Sequence, residues 1–263
     1  IIHAREARRT AIHGRTFQRG SQGMPASPLL IIQTGEAPEP IRARFGGFAQ
    51  WFRASMRLSP EQVKTVRVDA GTDLPAPKTV AGAVITGSGA MVTDRERWSE
   101  DTAAWLRGAM DAQLPLFGVC YGHQLLAHAL GGEVGWLPAG REIGTQTIAR
   151  SGHDDVMLDG TPARFPAHTT HRQSVLLAPR GARVLASSAL DPNQILRYGA
   201  NALSTQFHPE FGVRTMRAYL DEREDLLGAE DFDVAALRRA VKPTPHAGAL
   251  LRRFARAALG RGR

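Results

Sequence analysis

The sequence predicts an α/β fold, in which a mostly parallel central sheet is flanked by helices, with a small mixed or antiparallel β portion. Short apolar runs at Leu29–Ile32, Val80–Ile85 and Leu116–Val119 have the length and composition of buried parallel strands. Stretches with helical spacing lie between them, and strands that alternate with helices form parallel sheets through right-handed crossovers. A chain of 263 residues is long enough for one such domain.

The first half of the chain follows this alternation element by element. The periodicity predicts four strands, at Leu29–Ile32, Val63–Val68, Val80–Ile85 and Leu116–Val119. It predicts three helices, at 41–56, Trp98–Met110 and 121–130. The last strand and the last helix meet at a cysteine. Within the first helix, Gly46 and Gly47 form a weak point.

The second half has a different character. Short β-like runs at 144–149, 175–177 and 183–186 are separated by Gly, Pro and Asp, which predicts a smaller mixed or antiparallel portion laid against the parallel sheet. A last strand at Leu203–Phe207 and helices at about 212–227 and 246–259 follow. The final helix presents an apolar stripe that needs a surface to cover.

The two ends of the chain carry most of its positive charge. Residues 1–23 contribute +4 and residues 238–263 contribute +8, so residues 24–237 carry −4 of the overall +8. Residues 1–23 lack apolar periodicity, and we expect a disordered or non-native arm, a transit peptide being the alternative, with Met24 as the natural start. Residues 24–263 are then expected to form a single domain.

Composition argues against several classes of protein. A nucleic-acid-binding face on the fold would not leave the body of the chain acidic, so we expect no nucleic-acid partner. No apolar run approaches the roughly 18 residues of a membrane span, so we expect no membrane partner. The single cysteine permits no disulfide within the chain, which favours a reducing compartment and a cytoplasmic location.

That single cysteine, Cys120, lies where the apolar strand ends and a helix begins, with Gly118 and Gly122 on either side. A nucleophile at the tip of a tight strand-to-helix turn, with small residues two positions away, is a nucleophile elbow. The positive end of the following helix favours the thiolate. The alternative is a small buried cysteine in an ordinary connection, but this leaves both glycines unexplained.

A cysteine nucleophile needs a base and a group that orients the base. His208 and Glu210 are two residues apart in an extended segment after a strand, so their side chains point to the same side. Pro209 between them restricts the backbone and holds that relation. The sequence thus predicts His208 as base and Glu210 as its partner, with a surface turn as the alternative and His171 as the next candidate base.

The loop Thr86-Gly87-Ser88-Gly89 follows a strand and is small enough for backbone N–H groups to approach a ligand. The amides of Ser88 and of Tyr121 are candidates for an oxyanion hole. On its own such a loop also fits a plain turn. Neither a Walker motif nor a G-x-G-x-x-G motif is present in it, which argues against phosphate binding.

Three motifs, 118–127, 206–210 and 86–89, together resemble class I glutamine amidotransferases, and within that family the stand-alone members similar to GMP synthase. The resemblance covers about residues 29–211 and includes the segments 141–144 and 170–175. It implies a flavodoxin-like fold, no metal and no cofactor. It also implies a catalytic triad of Cys120, His208 and Glu210. The glutamine site that it implies uses Gly87, Gln124 and backbone groups of Thr170, Arg172 and Gln173.

These features predict hydrolysis of the glutamine side-chain amide through a γ-glutamyl thioester on Cys120. The residues after Glu210 contain no ATP-pyrophosphatase loop, so we expect any ammonia acceptor to be bound by a synthetase subunit. One alternative keeps the triad but takes a γ-glutamyl peptide or conjugate as substrate. Another is a binding module that keeps the fold without turnover. A cysteine α/β-hydrolase is disfavoured, because its acid would come between the nucleophile and the histidine.

Overall fold

The computed structural model describes residues 27–260, which form eleven strands and eight α-helices. The expectations for the arm at 1–23 and for Met24 lie outside the described residues. The strands are β1 Leu29–Gln33, β2 Val63–Arg67, β3 Gly82–Ile85, β4 Leu116–Val119, β5 Glu133–Trp136, β6 Glu142–Arg150, β7 Arg164–His171, β8 Gln173–Leu177, β9 Arg183–Ser187, β10 Ile195–Tyr198 and β11 Ala202–Thr205. The helices are α1 Glu39–Phe45, α2 Phe48–Met56, α3 Arg97–Asp111, α4 Tyr121–Ala129, α5 Val213–Glu222, α6 Glu224–Ala229, α7 Val234–Ala240 and α8 Pro245–Ala258.

Nine strands form one mixed sheet in the order β2-β1-β3-β4-β11-β10-β9-β6-β7. The first five are parallel, and each later strand pairs antiparallel with its neighbour. The predicted α/β fold is therefore confirmed. The antiparallel strands differ from the expected arrangement, because most of them extend the same sheet instead of lying against it. The hairpin of β10 and β11 causes this, since β11 pairs with β4 on one side and with β10 on the other.

The remaining two strands, β5 and β8, form a small antiparallel sheet of their own. The helix predicted over 41–56 is divided into α1 and α2. Gly46 has a φ of 81° and ends α1, and the amide of Gly47 donates to Gln50 Oε1 at 2.9 Å as α2 begins. Two adjacent glycines supply the backbone freedom that a break in the helix requires.

Alternating residues of β1 point to opposite faces of the sheet and into two buried clusters. Leu29 and Ile31 pack in the cluster that contains the inward faces of α2, α5 and α8. Leu30 and Ile32 pack in the cluster that contains those of α3 and α4. This period of two is the geometry of a strand buried on both sides.

The strand order decides where the chemistry of the sheet is placed. β4 and β11 are parallel neighbours, so the residues that follow them, Cys120 and the segment 206–210, emerge at the same edge. The carboxyl ends of parallel strands are where open α/β sheets bind ligands. Across residues 27–260, no helix combines the length and the apolar composition that crossing a bilayer requires.

Candidate active site

Cys120 lies at the tip of a sharp turn between β4 and α4, with φ 53° and ψ −102°. A non-glycine residue rarely adopts a positive φ, and where it does so the surrounding structure must hold it. Gly118 and Gly122 make this turn possible. A Cβ atom on Gly118 would collide with the carbonyl oxygen of Gly122, and one on Gly122 would lie 2.5 Å from the carbonyl oxygen of Ile85.

Backbone hydrogen bonds tie the elbow to the strands on both sides of β4. The amide of Cys120 donates to the carbonyl of Thr205 at 2.9 Å, at the end of β11. The amide of Gly122 donates to the carbonyl of Thr86 at 3.1 Å, just after β3. These bonds fix Cys120 between two strands of the sheet, which explains how the strained conformation persists.

His208 and Glu210 form a buried pair next to the elbow. His208 Nδ1 donates to Glu210 Oε1 at 2.7 Å, and both side chains are almost fully buried. The backbone of His208 is fixed as well, because its amide donates to the carbonyl of His168 at 2.8 Å. The carboxylate of Glu210 therefore orients the imidazole, and the backbone hydrogen bond to His168 in β7 fixes the residue that carries it.

Gly87 brings the histidine and the cysteine together. A Cβ atom at this position would lie 3.0 Å from His208 Cε1 and 3.6 Å from Cys120 Cβ, so the two side chains meet directly over the glycine. His208 Nε2 is buried and makes no hydrogen bond to residues 27–260. Burial lowers the pKa of His208, but the charges of Glu210 and Cys120 outweigh it and raise the pKa to about 10.

The other histidines near the elbow differ from His208 in their hydrogen bonds or in their pKa. His171 Nδ1 donates to the carbonyl of Gln173 at 2.9 Å, and its Nε2 bonds to Glu142 Oε2 at the same distance, so neither nitrogen is free to act as a base. Burial lowers the pKa of His123 to about 3 and that of His168 to about 4. His208 differs from these histidines in its raised pKa and in lying against Gly87 beside Cys120.

Aromatic rings hold the outer face of His208, a contact that no sequence motif predicted. Phe211 stacks on the imidazole with ring centroids 4.2 Å apart, and Tyr219 stacks on Phe211 at 4.9 Å. Trp51 packs edge-on against Phe211 and Tyr219, at 5.7 and 6.4 Å. The site thus receives packing support from α2 and α5 as well as from the sheet.

The proposed oxyanion loop is ordered by a set of threonine hydrogen bonds. Thr34 Oγ1 donates towards the carbonyls of Thr86 and Gly87, at 3.0 and 3.1 Å. Ser88 Oγ accepts from the amide of Ala90 at 3.1 Å, and Ser88 lines the pocket beside Cys120. The amides of Ser88 and Tyr121 donate to no other group between residues 27 and 260, as an oxyanion hole requires.

A pocket of about 150 Å³ opens beside Cys120. The residues that it shares with the sequence predictions are Ser88, Cys120, Tyr121, Gln124, Thr170, Arg172 and Gln173. Gly87 is not part of the lining, because it lies beneath the imidazole. Gln124 Nε2 donates to the carbonyl of Gln173 at 2.7 Å and to Gln206 Oε1 at 3.0 Å, which joins α4 to the start of β8 and to the residue after β11.

Two arginines in the pocket wall were not predicted as site residues. Arg141 forms a bidentate ion pair with Glu230, at 2.6 and 2.8 Å. Arg223 follows α5 and donates to Thr170 Oγ1 at 2.6 Å. Arg141 begins one of the segments that carry the family resemblance, and this is a usable signal. Arg223 lies outside those segments, and only the fold brings it to the pocket.

A cysteine at a nucleophile elbow, beside a buried His–Glu pair in a mixed α/β sheet, defines a class of site suited to thiol-dependent acyl transfer. Residues 45–224 match the glutamine amidotransferase class-I family. The chain belongs to that family. This confirms the resemblance drawn from the three sequence motifs.

The curated relatives include both synthetases and a peptidase. The chain is 34% identical to a GMP synthase from Aeropyrum pernix over 207 residues, which are 76% of this chain and 38% of that enzyme. It is 30% identical to a glutamine-hydrolysing GMP synthase subunit from Archaeoglobus fulgidus, covering 60% of this chain and 85% of its relative. It is 28% identical to gamma-glutamyl peptidase 4 from Arabidopsis thaliana, covering 70% of this chain and 75% of the peptidase.

Solved structures support the fold. A glutamine amidotransferase from Thermotoga maritima superposes with a TM-score of 0.71 at 23% identity, covering 89% of this chain and 98% of that one. One from Methylobacillus flagellatus superposes with a TM-score of 0.66 at 24% identity, covering 90% and 94%. The chain therefore spans nearly the whole of these structures, but less than two fifths of the Aeropyrum GMP synthase.

Proposed function

We propose that this chain hydrolyses the side-chain amide of glutamine through a γ-glutamyl thioester on Cys120, releasing glutamate and ammonia. The proposal rests on two observations. The side chains of Cys120 and His208 both lie against Gly87, and His208 Nδ1 donates a hydrogen bond to Glu210 Oε1. The pocket beside Cys120 has room for a small substrate. Family membership supports the choice of glutamine.

In the first half-reaction, the thiolate sulfur attacks the side-chain carbonyl carbon of glutamine, and the carbonyl oxygen becomes an oxyanion. The amides of Ser88 and Tyr121 donate hydrogen bonds to that oxygen. The C–N bond then breaks as His208 gives its proton to the departing nitrogen. Ammonia leaves, and the glutamyl group remains on the sulfur as a thioester.

In the second half-reaction, neutral His208 removes a proton from water, and the hydroxide attacks the thioester carbonyl. The C–S bond breaks, glutamate leaves, and the thiolate and imidazolium are restored. The raised pKa of His208 serves this cycle, because it keeps the imidazole protonated at neutral pH before the attack. A protonated imidazole beside a thiol stabilises the thiolate, which is the nucleophilic form.

Glu210 orients the imidazole and balances its charge. Its Oε1 accepts from Nδ1, so Nε2 is the nitrogen left for the thiol, the leaving group and the water. We assign it no proton transfer of its own, by analogy with the acid of a serine protease triad.

We propose that the ammonia reacts with an acceptor that is bound by another chain. Three relatives are glutamine-hydrolysing GMP synthase subunits, and they support delivery to a synthetase subunit that binds the ammonia acceptor. A chain with one cysteine and no possible internal disulfide fits a reducing compartment, and we propose the cytoplasm.

A second candidate function keeps the same chemistry with a γ-glutamyl peptide as substrate. The similarity to gamma-glutamyl peptidase 4 supports it, because the match covers 70% of this chain and 75% of the peptidase. The leaving group would then be the amino group of a peptide in place of ammonia. His208 would protonate it in the same way.

Replacement of Cys120 by alanine tests the proposal. Release of ammonia from glutamine should fall to the background rate, while the circular dichroism spectrum and melting temperature stay close to the unmodified protein. A glutamine-like electrophile should label the unmodified protein once, at the only cysteine of the chain. Turnover by Cys120→Ala at the unmodified rate would contradict the thioester mechanism.

The true substrate is identified by comparing kcat/KM for glutamine with kcat/KM for γ-glutamyl dipeptides. A preference of about tenfold or more for one class corresponds to about 1.4 kcal/mol of transition-state stabilisation. A preference for the dipeptides would replace the leading proposal with the second candidate. Loss of both activities in Cys120→Ala would assign both to this one site.

A further inference from the structure

Three arginines line the pocket beside Cys120, and the structure assigns different partners to them. Arg141 is neutralised by the bidentate ion pair with Glu230. Arg172 is exposed and lies over the ring of Trp136, with its guanidinium carbon 4.9 Å from the ring centroid. Arg223 is half-buried, and no carboxylate of residues 27–260 lies within ion-pair distance of its guanidinium.

The partners of Arg223 are both uncharged. Its Nη1 donates to Thr170 Oγ1 at 2.6 Å, and its guanidinium carbon lies 4.8 Å from the ring centroid of Tyr219. The other N–H groups of Arg223 donate to no group within residues 27–260, and the residue lines the pocket beside Cys120. Burial lowers the pKa of Arg223, with a further contribution from the charge of Arg141, but a guanidinium stays protonated in proteins.

We propose that Arg223 binds a carboxylate of the substrate. This inference rests on the proposed function of the same pocket and adds to it the group that selects the substrate. A fixed, partly desolvated guanidinium with free N–H groups matches a carboxylate in a bidentate geometry. Glutamine carries one such group, its α-carboxylate, and a γ-glutamyl peptide carries a second one at the end of its leaving group.

The neighbours of Arg223 show why a carboxylate is preferred to a neutral group. The charge of Arg141 is already met by Glu230, so the net charge of this wall is that of Arg223 and Arg172. Loss of a hydrogen bond to a charged group changes affinity about tenfold to a hundredfold. Arg223→Gln should therefore raise KM by that factor for a substrate whose carboxylate it holds, with a smaller change in kcat.

Four substrates separate the two sources of the carboxylate: glutamine, glutamine with its α-carboxylate converted to a carboxamide, γ-glutamylglycine, and γ-glutamylglycine with its glycine carboxylate converted to a carboxamide. If Arg223 holds the α-carboxylate, Arg223→Gln raises KM for all but the α-carboxamide. If it holds the leaving group, KM rises for γ-glutamylglycine alone. Either pattern supports the proposal.

Matched variants control for folding and for charge. Arg217→Gln removes the same charge from an exposed position on α5, the helix that ends next to Arg223, and should leave KM unchanged. Arg223→Lys keeps the charge without the planar fork and should recover part of the affinity. A change in Arg223→Gln that is equal for all four substrates would overturn the proposal, as would no change for any.

Binding to the Cys120→Ala protein separates this inference from the proposed function. The dissociation constants of glutamine, γ-glutamylglycine and their two carboxamides are measured by calorimetry with and without Arg223→Gln. Weaker binding of a carboxylate substrate, but not of its carboxamide, supports the role of Arg223 even where turnover is absent. Unchanged binding together with turnover that depends on Cys120 would overturn the Arg223 assignment alone.

Discussion

Replacing Gly122 with alanine tests how tightly the elbow is built, because the added methyl group has no space. Its Cβ would lie 2.5 Å from the carbonyl oxygen of Ile85 and 2.7 Å from Ile85 Cβ. Ordinary contacts begin at 3.4 Å, so α4 must move away from β3 by close to an ångström. Neither clashing atom is the end of a flexible side chain, so a rotamer change cannot relieve the overlap.

Two consequences follow from that displacement. Overpacking of a buried contact costs about 1–3 kcal/mol, and each kcal/mol lowers the melting temperature of a domain near this size by about 2–4 °C. Cys120 and the amide of Tyr121 move with α4, since they lie at its N-terminus. A misplacement of about 1 Å costs roughly a hundredfold in rate. We therefore expect Gly122→Ala to lose more activity than stability.

The assay compares thermal melting and ammonia release with those of Gly108→Ala. Gly108 is exposed within α3, and a Cβ there meets nothing within 4 Å. Alanine is a better helix former than glycine, so this control should gain about 0.5–1 kcal/mol and keep its rate. A Gly122→Ala protein with the unmodified melting temperature and rate would refute the packing argument for the elbow.

Two other predictions concern the base and the last helix. His208→Ala should lose nearly all activity, whereas Glu210→Gln should lose less and should move the alkaline limb of the kcat/KM profile to lower pH. The raised pKa of His208 depends on the carboxylate, so the imidazolium is lost earlier as pH rises. The roles would be reversed if His208→Ala stayed active and Glu210→Gln did not. Ending the chain at Thr244 should prevent cooperative folding, because α8 buries Leu250, Leu251 and Phe254 at about 1.5–3 kcal/mol each; an unchanged melting temperature would contradict this.

The sequence predicted β1, β3 and β4 from their continuous apolar runs and missed β7 and β10, in which polar residues interrupt the run. β4 begins and ends where its apolar run does, and α8 lies within a residue of its predicted bounds. β7 was not predicted, because His168 and Thr169 interrupt its apolar pattern although both are buried. β10 was not predicted either, since Arg197 lies within it and is buried through its ion pair with Asp155. In β10 the carboxylate of Asp155 compensates the buried charge of Arg197, and in β7 His168 Nδ1 forms a hydrogen bond with Thr145 Oγ1 at 3.1 Å.

The residues of the candidate site also differ in how well the sequence alone predicts them. Cys120 and the pair of His208 and Glu210 are each recognisable from a few neighbouring residues, because a tight turn and an extended segment impose local sequence requirements. Their approach to each other depends on β11 pairing with β4, which the alternation of elements implies only in outline. Arg223 has no local motif. Its position depends on where α5 ends after crossing the sheet, and this is a property of the whole fold.

A continuous stack joins the proposed base to the proposed carboxylate-binding residue. The imidazole of His208 lies against Phe211, Phe211 lies against Tyr219, and Tyr219 lies under the guanidinium of Arg223. The two ends of the stack are each held by a second contact, since Glu210 bonds the imidazole and Thr170 bonds the guanidinium. The distance between the group that handles protons and the group that selects substrate is therefore set by packed rings and not by a loop. Such rigidity is what placing an amide within reach of Cys120 requires, because reaction rates fall steeply with misalignment.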